Sequence, residues 1–179
     1  MTGTTHRFGG ILAGVVLMEY LQIKDVEAVE LLTGSVLGSI LPDIDKLNTG
    51  ISNQMPIIAT IINMGQRMVR VLSMFFPKKL RRMLRTMAGH RGIFHSLLFP
   101  GALWVGLMTY GNGRWHVLLL GCVIGILSHL LLDMFSGGVP LFLPVCFRRI
   151  KLAGVDTGGF LEKSVRVAIV ILILYVWRY

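Results

Sequence analysis

Six runs of apolar residues follow one another along the chain, at residues 8–23, 28–41, 55–76, 93–110, 115–134 and 165–177. Read as helices, most fall short of the ~20 residues that span a typical hydrocarbon core. Short helices containing glycine can thin the bilayer, or pack inside a bundle rather than each facing lipid. The breaks between runs are sharp. Lys24-Asp25 separates the first two, Pro42 ends the second, and Pro77 ends the third, since the residue before a proline disfavours helix. Gly111-Asn112-Gly113 composes a tight turn between the fourth and fifth, and Ser136-Gly137-Gly138-Val139-Pro140 closes the fifth.

The third run differs in kind. Arg67 and Arg70 lie near its middle, where each would cost about 2.5–3.5 kcal/mol at a bilayer centre. Beyond them Met, Val, Leu and Phe mix with Lys78, Lys79, Arg81, Arg82 and Arg85, which suits a helix lying in the membrane interface. The pattern therefore predicts an all-α protein, a multi-pass membrane helical bundle with an interfacial amphipathic helix. It forms a single domain over residues 1–179, with the interfacial basic segment at residues 55–88 and a C-terminal membrane helix at residues 164–178.

Composition agrees with a membrane setting. Charged residues make up only 15% of the chain, against about 25% in soluble domains, and the mean hydropathy is +0.69. The net charge of +9 is gathered in a few connecting segments. That distribution favours the positive-inside bias of membrane proteins over nucleic-acid binding. Cys122 and Cys146 form neither a disulfide framework nor a CxxC site. The first run resembles a signal-peptide core but is followed by Gln22, Lys24 and Asp25 without a small-x-small cleavage site, so it is read as retained.

Threading the chain through a bilayer brings the remaining polar residues together. His6 lies just before the first helix, and the chain crosses and returns to Asp43 and Asp45 on the same side. The interfacial segment stays there and delivers His90 and His95; the fourth and fifth helices go out and back, ending on His129 and Asp133. The same face carries Lys46, the basic run, Arg91, Arg148, Arg149 and Lys151, which places it in the cytoplasm.

His129 and Asp133 are four apart, hence on one helical face, and fit either a metal-ligand pair or an interhelical hydrogen-bonded pair. Asp43 and Asp45 repel unless a cation or proton lies between them, or else they are solvated carboxylates of a helix-ending turn. His90 and His95, five apart, need a bend at Gly92 to converge, and Arg91 between them suits a phosphate oxygen. Together His6, Asp43, Asp45, His90, His95, His129 and Asp133 are candidate metal ligands, with Asp43, Asp45 and Arg91 as candidate catalytic residues. Such a mixed nitrogen and oxygen set suits a divalent metal, zinc first and manganese second. A metal of that kind activates water against an ester or phosphoester.

At these residues the sequence resembles the YdjM-like family of membrane-bound, metal-dependent hydrolases. The matches are His6 before a Gly/Ala-rich helix, Gly38-x-x-Leu41-Pro42-Asp43-Ile44-Asp45, His90-Arg91-Gly92-x-x-His95-Ser96, and Ser128-His129-x-x-x-Asp133 followed by Gly138 and Pro144. The family's later Gly/Glu element is matched by Gly158, Gly159 and Glu162. Lys46 departs from the histidine that often follows Asp-x-Asp, and Phe94 from the threonine that often precedes the second histidine. The resemblance implies a helical protein of the bacterial inner (plasma) membrane with hydrolase activity. The pattern is also distantly similar to that of zinc-dependent phospholipase C, which implies phosphoester or phospholipid substrates and membrane lipid as a partner. Two other readings remain: a metal-ion transporter or sensor, and a non-catalytic membrane protein that binds anionic lipid.

Overall fold

The computed structural model describes residues 1–45, 53, 55–89, 91–110 and 115–178, apart from the side chain of Asp45. The chain enters α1 (Gly3–Leu21) and reverses through Gln22, whose left-handed backbone closes the helix end onto the Met18 and Glu19 carbonyls. It returns as α2 (Asp25–Ile40), where Asp25 and Glu27 place negative charge on the positive end of the helix dipole. A 3-10 turn, Leu41–Asp45, follows. Then come α3 (Pro56–Leu72), α4 (Lys78–Met87), the 3-10 turn Ile93–His95, α5 (Leu98–Tyr110), α6 (His116–Ser136) and α7 (Phe160–Arg178). The described residues are thus all-helical, with an isolated antiparallel bridge between Val139 and Ile150 in the connection to α7.

The sequence expectation holds for the helical class and needs correction in two elements. Residues 55–88 form two helices rather than one. The 3-10 turn Ser73–Phe75 and the extended Phe76 before Pro77 divide α3 from α4, as the proline's clash with a preceding helical residue requires. His6 lies within the first turns of α1 rather than ahead of it, because the helix begins at Gly3. The Gly111–Gly113 turn falls outside the described residues.

Three helices form the centre, with α2 and α6 in the most extensive contact and α1 packed on both; α7 covers α1 and α5 covers α6. Small residues set how closely they approach. A side chain at Gly34 or Gly38 would run into the backbone of Leu118 or Cys122 on α6. One at Gly121 or Gly125 would run into the carbonyls of Leu31 or Ser35 on α2. Each helix thus presents a Gly-x-x-x-Gly pair to the other, the arrangement by which apolar helices bring their backbones together without a hydrophobic driving force. Ser35 Oγ adds a 2.6 Å hydrogen bond to the Gly10 carbonyl of α1.

Among the described residues α6 is long and apolar enough to cross a membrane, and α5 is a shorter apolar helix. Large apolar side chains face outward on α3 (Ile57, Ile61, Met64, Met68), α5 (Trp104, Val105, Met108) and α7 (Val167, Ile171, Leu174, Trp177). Gly121→Leu is expected to cost about 3 kcal/mol or more by forcing the helices apart. That corresponds to a Tm lower by roughly 6–12 °C in a fluorescence melt of detergent-purified protein. Gly101→Ala, where an added side chain meets nothing within 4 Å, should leave the melt unchanged.

Candidate metal centre

The close contact of α2 and α6 sets the first member of the site. His129 is four residues beyond Gly125 on α6, and its Nδ1 lies 2.6 Å from the backbone carbonyl of Ser39, at the end of α2. A carbonyl only accepts, so Nδ1 carries the proton and Nε2 presents a lone pair. That lone pair points at His95, whose Nε2 is 3.4 Å away. The ring of His6 stacks on that of His129 at 3.8 Å between centroids, and the ring of His95 meets His129 edge-on at 5.2 Å. All three histidines are at most 1% exposed.

Asp133 closes the group from one turn further along α6. Its Oδ1 lies 3.3 Å from His6 Nε2, 3.2 Å from the Met1 amine and 3.4 Å from Ser136 Oγ. Its Oδ2 lies 3.3 Å from Arg91 Nη2, 3.6 Å from His95 Nε2 and 3.8 Å from His129 Nε2. Asp43, from the turn after α2, approaches His95 Nε2 at 3.7 Å. Burial would raise the Asp43 carboxyl, but the imidazole of His95 beside it, with the histidines behind, outweighs that. They hold it below the usual carboxylate range, so it is an anion.

The donor atoms fit a small divalent cation. Ligands on a tetrahedral ion with bonds of about 2.0–2.1 Å sit roughly 3.3–3.4 Å apart, close to several of the separations here. Two overlapping groups qualify, His6 with His129 and Asp133, and Asp43 with His95 and His129. His129 Nε2 has a single lone pair, so among the described residues it can serve only one of the two groups at a time. The carbonyl of Ser39 supplies the outer hydrogen bond that metal-ligating histidines characteristically make.

Of the residues expected from sequence, His6, Asp43, Arg91, His95, His129 and Asp133 come together. His90 and the side chain of Asp45 lie outside the described residues. The bend that delivers His95 differs from expectation. The left-handed position is Arg91, with φ of 59°, whereas Gly92 is needed because a side chain there would strike the carbonyls of Met87, Gly89 and Thr86. Arg91 in turn passes directly over Gly137, where any Cβ would overlap the guanidinium.

Sequence reasoning missed the Ser39 carbonyl and Ser136. Glu162 matched a family element, but its place is not in this cluster. It is fully buried at the start of α1, where it accepts hydrogen bonds from Thr2 N (2.6 Å), Thr2 Oγ1 (2.7 Å), Thr5 Oγ1 (2.5 Å) and Gly158 N (2.6 Å). It thereby anchors the helix that carries His6. A lone carboxylate in the first turn of a helix that then becomes apolar was the available signal.

Compared with known proteins, the chain matches the description "YdjM inner membrane protein" over residues 1–179. It belongs to the YdjM family. Escherichia coli (strain K12) inner membrane protein YdjM is 37% identical over 94 residues, 50% of this chain and 45% of that protein. The chain thus spans less than half the length of that relative. A Bacillus subtilis (strain 168) relative, "Uncharacterized protein YvsG", is 28% identical over 166 residues, 92% of this chain and 87% of its own. No solved structure matches. Within this YdjM-family chain, His6→Ala, His129→Ala and Asp133→Ala are each expected to weaken divalent-metal binding, measured by competition with a chelator. The loss should exceed the roughly 10–100-fold typical of removing an outer hydrogen bond. His116→Ala, thirteen residues and so about 20 Å up α6 from His129, should bind as the wild type does.

Proposed function

We propose that this protein is a membrane-bound, metal-dependent hydrolase of phosphoester or lipid substrates, working at the cytoplasmic face of a multi-pass helical bundle. The observation that carries this reading is the division of the site into a closed and an open side. Asp133 is 4% exposed and the histidines are sealed, whereas Asp43 and Arg91 are 24% and 22% exposed. Substrate therefore reaches the centre past a carboxylate and a guanidinium. The outward apolar faces of α5 and α7 suit lipid rather than water, and α1, α2 and α6 complete the bundle behind them.

The Ser39 carbonyl fixes the His129 ring, and His6 and Asp133 would complete a three-ligand set that leaves a fourth position for water. Bound in that set, zinc, or manganese in its place, would polarise the scissile bond and make water more acidic. The chain's own residues do the rest. Arg91 exchanges its contact with Asp133 for a substrate phosphate oxygen, which a guanidinium binds in a fork. Asp43, anionic and open to substrate, takes the proton from the attacking water.

Turnover of a panel of phosphoesters and phospholipids by detergent-purified, metal-loaded protein tests this reading. Asp43→Asn is expected to lower kcat by about 10²–10⁴-fold. Arg91→Ala and Gly137→Ala should both raise KM for phosphorylated substrates. A wild type that holds its metal but cleaves nothing in the panel, or an Asp43→Asn variant of unchanged rate, would sink the hydrolase.

A further inference from the structure

Away from the metal centre, α4 frames a second site. Leu80 and Met83, three apart on this helix and so on one face, line a cavity of about 610 Å³ with Pro77 and Phe147. Phe147 arrives from the connection between α6 and α7. Lys79 and Arg82, both exposed, line the same cavity. A neighbouring cavity of about 500 Å³ is lined by Lys78, Arg81, Arg82, Arg85 and Thr86. Arg82 and Thr86 belong to both, so an apolar slot and a cationic cup are contiguous.

The cationic cup has a division of labour. Arg81 folds back to donate to the Met74 carbonyl at 2.7 Å, and Arg85 Nε donates to Ser73 Oγ at 3.2 Å. These two bind the helix to the preceding turn, while Lys78, Lys79 and Arg82 carry their charge outward. No carboxylate lines either cavity among the described residues.

We propose that this surface is a binding site for one anionic phospholipid, its phosphate among Lys78, Lys79 and Arg82 and an acyl chain in the slot formed by Leu80, Met83 and Phe147. Charge complementarity selects the occupant. A free anion would leave the apolar slot empty, and a zwitterionic lipid would leave the three cations without net countercharge. The preceding helix, α3, carries an outward apolar stripe of its own, Ile57, Ile61, Met64 and Met68, as helices at the level of lipid headgroups do. The site is independent of the metal centre and of the hydrolase reading.

Native mass spectrometry of the full chain in detergent, titrated with phosphatidylglycerol, reads the binding directly. The double variant Lys79→Ser with Arg82→Ser is expected to bind about thirtyfold more weakly, as the loss of two surface cations implies. Met83→Gln should also weaken binding, through the slot. Lys24→Ser, which removes a cation from the α1–α2 turn, should bind as the wild type does. Equal affinity for phosphatidylcholine, unchanged binding by the double variant, or displacement of the lipid by millimolar inorganic phosphate would each overturn the proposal.

Discussion

The backbone-to-backbone contact of α2 and α6 is the constraint from which the rest follows. Gly34 and Gly38 on one helix and Gly121 and Gly125 on the other leave no room for a single added carbon. At that distance the end of α2 lies against α6, and the Ser39 carbonyl reaches the His129 ring. The same contact brings the Leu41–Asp45 turn, with Asp43, up to the site. Dispersion between closely fitted surfaces holds such helices together in lipid, where burial of apolar groups contributes little. Site geometry and helix packing are therefore one property of this chain.

Electrostatics then organises the centre around Asp133. A buried carboxylate is tolerable only when hydrogen-bonded and paired. Asp133 meets this condition with the Arg91 guanidinium on one oxygen and His6 and Ser136 on the other. His95 and His129 face one another and both carboxylates across the same space. An imidazole pair at hydrogen-bonding distance beside anions is a natural seat for positive charge, whether proton or metal ion.

Much of this was legible in the sequence because side-chain chemistry and helical spacing are written there. The four-residue step from His129 to Asp133 puts both on one face, and the pairing of Asp43 with distant histidines followed from counting crossings. The proline at 77 announced a break, although its effect, two helices in place of one, was underestimated. Backbone groups leave no such trace. Any residue at 39 has a carbonyl, so nothing in the sequence distinguished the one that holds His129. The left-handed turn at Arg91 was hidden for a related reason. Glycine is the usual occupant of that conformation, and Gly92 stood next to the residue that adopts it.

The bond between the Ser39 carbonyl and His129 joins residues 90 positions apart. At a synthesis rate of about 5–20 residues per second, roughly 5–20 s separate their emergence from the ribosome. During that interval α1 and α2 exist without α6, and the Gly34 and Gly38 face of α2 has no partner. His6 and Asp43 thus wait for the helix that brings His129 and Asp133 to them. Either candidate metal group lacks a member until α6 arrives, so the cluster forms only as the bundle closes.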